Sequence, residues 1–475
     1  MSQEPRYHEA ERLAADLERI HELAEALLPH LPDEHAPVPP ALPEAADRLN
    51  TLTAILHELH PADVATVLEH LPQKERALVW RLANPEEDGD VLLEVSEAVR
   101  ESLIEDMDDA ELVAAVEDME ADELAELADS LPQQVVAEVL KDWDDEERAQ
   151  VQAAMSYRDD QVGAIMDFET VSVRADVSCE VVLRYLRRFD SLPDHTDKIF
   201  VVDDHDILQG VLPIRKLLVS DPDDLVENVM ARDVVRFRPE DDAEEAAAAF
   251  ERYDLVTAPV TDHNHKLIGR LTVDEMVDVI REEGETDMLN MAGLQEEEDL
   301  FAPVLRSVQN RWFWLAVNLF TAFVASRVIN HFEHTIAQIV ALAALMPIVA
   351  GIGGNSGNQT ITMIVRAMAM GQLSGIQAMH LLKKEIGVAL VNGVLWGSVM
   401  GVISYLLYHN TGIALVMVAA MTLNLLLAAV LGVMIPVTME KFGKDPALGS
   451  SVLITAVTDS GGFLIFLGLA TVFLI

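Results

Sequence analysis

The chain has 475 residues, with 33 Lys and Arg against 81 Asp and Glu, a net charge of −48, one Cys and half of its residues apolar. Only seven of those bases and five of those acids fall within residues 311–475, which leaves the first 310 residues at a net −50. So acidic a half excludes nucleic acid as a partner and excludes docking on anionic lipid through basic patches; it fits solubility or cation binding.

The opening "MSQEPRYHEAERLAADLERI" carries neither a basic n-region nor an apolar core, so it does not read as a secretory signal. Residues 1–50 read as one amphipathic helix with the Pro-rich linker "PHLPDEHAPVPPALPEA". From 51 to 160 apolar positions recur three and four apart, as in "LHPADVATVLEHLP" and "MDDAELVAAVEDMEADELAELADSLP". Both stretches end in Leu-Pro, which predicts short helices stacked in weak repeats, an acidic α-helical superhelical N-terminal domain. The lone Cys179 rules out an internal disulfide framework and suits a reducing compartment.

Near residue 163 the period changes. "KIFVVDDHDILQGVLP" and "APVTDHNHKLIGRLTV" each read as strand, polar turn and strand followed by a helix, and each has a similar lead-in, "VGAIMDFETVSVRADVSCEVVLRYL" and "VENVMARDVVRFRPEDDAEEAAAAF". Residues 161–283 thus resemble an α+β tandem pair of CBS domains. In nucleotide-binding members a Gly-hydrophobic-Ser/Thr-x-x-Asp run contacts ribose and phosphate. Here "GRLTVDE" offers Thr272 and Glu275, whereas "GVLPIRK" lacks both hydroxyl and acid. The resemblance admits an adenine nucleotide at the CBS pair but does not favour one.

Residues 284–310 read as a polar, helix-like connector, and residues 311–475 as an all-α transmembrane domain. Five apolar segments, 312–332, 335–365, 386–408, 412–439 and 449–475, are each long enough for a hydrocarbon core of ~30 Å. Arg306, Arg311, Lys383, Lys384, Lys441 and Lys444 flank one set of span ends, while the opposite loops, "NHFEHT" and "YHNTG", hold no Lys or Arg. The positive-inside rule then predicts a multi-pass cell-membrane protein in contact with lipid, with a cytoplasmic acidic half and an extracytoplasmic C-terminus.

"LITAVTDSGGFLIFLG" places one carboxylate, Asp459, in the last span. An Asp at a helix centre is unfavourable by ~2.5–3.5 kcal/mol, so Asp459 is expected to face a bundle interior or water. "DSGG" has none of the strand and loop context of a serine nucleophile, and one membrane acid cannot form an aspartyl dyad, so no enzyme is expected. In "MPIVAGIGGNSGNQTITMIVRAMAMG", Pro347 with Gly351, Gly353, Gly354 and Gly357 predicts a broken or loosened helix whose freed carbonyls line a cavity. Asn355, Ser356, Asn358 and Gln359 add neutral oxygens. One Asp with amide and carbonyl oxygens is a hard-ligand set suited to Mg²⁺ or Ca²⁺, and a two-fold axis would double its charge.

"PIVAGIGGNSGNQ", "KDPALGSSVLITAVTDSGG", the five spans and the order of domains resemble the MgtE family of magnesium channels and transporters. The resemblance implies a homodimer with the pore at the subunit interface, Asp459 holding hydrated Mg²⁺ there beside Asn355 and Asn358, and a plug helix over about residues 284–305. It also implies a cytosolic Mg²⁺ sensor that shuts the pore. The matching acids are Asp242, Glu244, Asp254, Glu275, Asp278, Glu283 and Asp287, with Asp90 and Glu111 as the nearest candidates in the N-terminal domain. The implied activity is passive Mg²⁺ import; the alternatives are a secondary transporter of Mg²⁺, Co²⁺ or another divalent ion coupled to H⁺ or Na⁺, and a receptor whose membrane half is only an anchor.

Overall fold

Short amphipathic helices build the N-terminal part of the chain, as seen in a computed structural model that describes residues 4–30, 43–189, 191–294, 299–369 and 375–475. The chain divides into two units, Met1–Glu283 with Asp299–Ala302, and Gly284–Glu298 with Pro303–Ile475.

In the first unit, local signals start the helices. Pro61 opens Pro61–Glu69 behind an accepting His60 side chain, and Asp108 with Glu111 forms a reciprocal capping box on Asp109–Val116. Each helix is too short to bury its apolar face alone, so it stacks on the next but one. Pro61–Glu69 packs on Asp88–Glu94, Asp109–Val116 on Gln133–Asp142, and Ala121–Leu127 on Asp145–Ala154. Residues 1–50 depart from the expectation of a single helix with a linker. The helix is Glu4–Leu27, a second one begins at Pro43, and the Pro-rich stretch between them falls largely outside the described residues. Ile20, Ala24 and Leu27 share one core with Leu52, Leu68 and Leu92, because their i, i+4, i+7 stripe needs a partner face.

Arg76, 1% exposed, ties this core together. Its guanidinium donates to the Leu68 and Leu71 carbonyls and makes a two-pronged pair with Asp299, at 2.7 and 3.0 Å. Arg76→Ala would remove the buried guanidinium that neutralises Asp299 and the donor to the Leu71 carbonyl, so the first unit is expected to lose about 3–5 kcal/mol. Chemical denaturation of the full chain, followed by helix signal, would measure the loss.

The first CBS copy has strands β1 (Ser172–Arg174), β2 (Lys198–Val202) and β3 (Leu208–Pro213), with β1 parallel and β3 antiparallel to β2. In the second, β4 (Thr257–Thr261) pairs antiparallel with β5 (Leu267–Thr272), and the expected first strand shrinks to a single parallel bridge, Phe237 to Val260. Helix Val273–Ala292 follows β5 directly.

Among its described residues the second unit contains five long helices: Val304–His331, Ala341–Ala369, Gly375–Tyr408, Thr411–Lys441 and Ser450–Leu474, hereafter the first to fifth membrane helices. Among the described residues four of them are long and apolar enough to cross a membrane; the second is not. Its 29 residues suffice in length, but the run from Gly351 to Thr362 lowers its mean hydropathy. The expected break in this helix is absent. Pro347 lies in its second turn, where it removes only the hydrogen bond to the Ala343 carbonyl, and the helix continues to Ala369. The interruption comes earlier, at Ile339, where the short helix Glu333–Gln338 ends. The connector is also not one helix: Val273–Ala292 stops before Gly293, and Val304 starts the next. The second, fourth and fifth helices pack on one another, the third against the fourth and the first against the fifth.

Candidate ion path and acidic sensor

Asp459 sits near the middle of the fifth membrane helix, half-buried, with no hydrogen-bond or ion-pair partner among the described residues. Thr458 beside it is fully buried, its hydroxyl returned to the Ile454 and Thr455 carbonyls. A methyl placed on Gly354 would lie 3.7 Å from the Thr458 hydroxyl. The second and fifth helices therefore touch here, and Asn355 and Asp459, one residue further on in each, lie at one level of the bundle. Asn355 is exposed, whereas Asn358 is half-buried, its Oδ1 shut away with no partner among the described residues. Gly351, Asn355, Gln359 and Thr362 line one exposed stripe of the second helix, a polar face that lipid would not solvate.

A second buried acid lies in the third helix, ahead of the apolar segment expected at 386–408. The third helix begins at Gly375, not near 386, and takes in Glu385, which is 6% exposed. Thr360 donates its hydroxyl to Glu385 at 3.2 Å, and Lys384 stays largely exposed with its ammonium 4.0 Å away. A hydroxyl partner with a cation at the rim permits this burial.

In the first unit, a cluster forms where Ala121–Leu127 faces the start of the CBS pair and helix Val273–Ala292. Carboxylate oxygens of Glu120, Asp122 and Asp167 lie within 4.8 Å of one another. Asp167 is also clamped by Arg270, at 2.5 and 2.6 Å. Burial, then Glu126, Asp274, Asp122 and Asp278, push the Glu275 carboxyl up to about 8. Burial and then Asp167 raise Asp122 to about 7; burial, then Glu169, Glu123 and Asp167, raise Glu120 to about 7. Glu126 is raised by lost hydration against the pull of Arg100, which bonds it at 2.8 Å, and Glu282 by lost hydration and then Glu126. Acids held so far above their ordinary range have lost hydration and crowd one another beyond what Arg100 and Arg270 offset.

Of the sensor residues expected from sequence, the structure brings Glu275 and Asp278 into this cluster. Asp242 and Asp254 stand at opposite ends of helix Ala243–Tyr253, the first capping it through the Glu245 amide, the second in a left-handed turn, with Glu244 exposed beside Asp242. Glu283 is exposed, while Asp287, in the second unit, is raised by burial and then by Asp445, whose carboxylate accepts from Asn290 at 2.8 Å. Asp90 is exposed, and Glu111 accepts from the Asp108 amide in its capping box. The acid that meets Glu111 is Asp88, raised to about 6 by burial and then by Glu111. Sequence reading passed over Glu120, Asp122, Glu126 and Asp167. The available signal was the i, i+4 pair Asp122 and Glu126 in "ADELAELADSL", hidden among many acids.

Family profiles match the chain in three places: MgtE, a divalent cation transporter, over residues 346–469; the MgtE intracellular N domain over 59–160; and a CBS domain over 226–282. The magnesium transporter MgtE of Thermus thermophilus is 33% identical over 441 residues, 89% of this chain and 95% of that protein. The magnesium transporter MgtE of Bacillus subtilis is 26% identical over 427 residues, 90% of this chain and 95% of the relative. Among solved structures, the cytosolic domain of the Mg²⁺ channel MgtE in complex with ATP is 31% identical, covers 50% of this chain and 98% of its own, and has a TM-score of 0.45. With a relative 33% identical along nearly its whole length and three family profiles matching in turn, the chain belongs to the MgtE family of magnesium transporters.

Proposed function

We propose that this protein is a passive Mg²⁺ channel whose pore forms between two copies of the chain and is shut by Mg²⁺ on the acidic cytosolic unit. The observation that carries the reading is Asp459: a half-buried carboxylate in a membrane helix with no partner among the described residues. Such a group is retained where water and a cation reach it. A second copy facing the polar stripe at Asn355 and Gln359 would shelter that face and double the negative charge. Mg²⁺ sheds its waters reluctantly, so two carboxylates with Asn355 suit a hydrated ion, while Asn358, whose Oδ1 is buried in the single chain, would have to turn to reach it.

The sensor in this reading centres on Glu120, Asp122, Glu126, Asp167, Glu275 and Asp278. Asp242, Glu244, Asp254, Glu283 and Asp287 supply further acidic faces, and Asp90 and Glu111 a weaker one. Divalent ions bound there favour the compact arrangement and so shift the population towards it. The basic residues at the span ends support a cell-membrane protein with this unit in the cytoplasm and the C-terminus outside. The reading admits an adenine nucleotide at the CBS pair, through Thr272 and Glu275 of the second copy, but does not favour one, because the first copy lacks the hydroxyl and the acid.

Glu385 favours a second reading, a transporter coupled to H⁺ or Na⁺, since a buried carboxylate can carry either ion. Uptake of Mg²⁺, Co²⁺, Mn²⁺ and Ca²⁺ into liposomes bearing the full chain discriminates the two. Mg²⁺ entry is expected to persist when ionophores collapse H⁺ and Na⁺ gradients, and to fall with millimolar Mg²⁺ on the side of the acidic unit. Entry that stops with those gradients would replace the channel by the coupled transporter.

A further inference from the structure

Asn424, midway along the fourth membrane helix, is fully buried. Its Nδ2 donates to the Val349 carbonyl of the second helix at 2.9 Å, and its Oδ1 is buried with no hydrogen-bond partner among the described residues. Two glycines bracket this amide. A methyl at Gly353 on the second helix would lie 2.2 Å from Nδ2, and one at Gly462 on the fifth would lie 2.7 Å from it. Three helices thus meet on one side chain, closer than any residue larger than glycine permits. Gly353 lies two residues before Asn355, and Gly462 three residues after Asp459.

Stability by itself argues against Asn here. A buried amide oxygen with no donor has lost its hydration without compensation, whereas Leu, of similar size and shape, needs no partner. A polar residue that the packing does not require, set beside the ion path, points to a requirement of transport.

We propose that Asn424 is a positioning residue for ion passage: its amide sets the spacing of the second and fifth helices at the level of Asn355 and Asp459, and with it the width offered to a hydrated divalent cation. The inference rests on the pore reading above. Asn424 acts through the backbone it holds, not by touching the ion.

Asn424→Leu in the full-length chain tests this. Thermal unfolding in detergent is compared with Mg²⁺ uptake into proteoliposomes across a range of Mg²⁺, and with the Mg²⁺ to Ca²⁺ uptake ratio. The variant is expected to unfold no earlier than the native protein, yet to shift half-saturating Mg²⁺ by about fivefold or more and to change the uptake ratio. Gly353→Ala alone is expected to reduce the folded yield, and Gly353→Ala with Asn424→Ala to restore it, because the new methyl fills the space of the amide. The restored pair should keep the altered half-saturation. Unchanged half-saturation and ratio in Asn424→Leu would overturn the proposal. So would a lowered unfolding temperature with uptake reduced only in proportion to folded protein, or a double variant no better folded than Gly353→Ala. Asp459→Ala, run in parallel, separates the two levels. If it transports normally the pore reading fails; if it is inactive while Asn424→Leu behaves as native, only the role of Asn424 fails.

Discussion

Asp459→Ala is expected to reduce Mg²⁺ uptake to the level of empty vesicles while leaving the folded chain and its assembly intact. The carboxylate makes no hydrogen bond or ion pair among the described residues, so its removal leaves no neighbour unserved. Ala is the best helix former, and the unfavourable transfer of an Asp at a helix centre, ~2.5–3.5 kcal/mol, disappears with the charge. Thermal stability should therefore hold or rise as transport is lost, the opposite of what a structural residue shows. Asp459→Asn keeps the shape and the acceptor oxygen but removes the charge, and should fall nearly as far, since the task is attraction of a divalent ion. Uptake by Asp459→Ala at the native rate, with equal protein in the vesicles, would end the assignment.

The second large effect is a dependence of closure on pH. Glu275, at about 8, and Asp122 and Glu120, each at about 7, lie well above the ordinary carboxylate range in the folded protein. The folded form then holds more protons than the unfolded chain, so without Mg²⁺ their contribution to stability is full below about pH 4 and is lost as pH rises towards 8. Mg²⁺ bound among these acids displaces the protons and supplies the missing counter-charge, and it should flatten the decline. The same linkage makes Mg²⁺ binding tighter at higher pH. Half-protection of the cytosolic unit from protease is expected at a Mg²⁺ concentration at least about tenfold lower at pH 8 than at pH 6. Glu275→Gln should shrink that pH shift. A half-protecting concentration that stays level or rises between pH 6 and pH 8 would remove this cluster from the sensor.

The linear order of residues by itself determined a good deal. Transfer energies are properties of composition, so the four strongly apolar helices and the isolated charge at Asp459 stand out without coordinates. Turn residues and helical periodicity likewise mark the short helices of the N-terminal domain and the strand pairs β2–β3 and β4–β5. Other features depended on which surfaces meet. Pro347 was expected to break its helix, but its effect depends on its distance from the helix start, and the interruption lies at Ile339. Glu385 read as a residue between spans until the third helix proved to begin earlier and Thr360 proved to partner it. Asp122 and Glu126 were indistinguishable from dozens of solvated acids until tertiary packing set them against Glu275. Asn424 was a lone amide in an apolar run until two glycines on other helices closed around it. Hydropathy and propensity act residue by residue and survive in one dimension. Electrostatic crowding and hydrogen-bond satisfaction are properties of pairs far apart in the chain, and only the tertiary fold decides them.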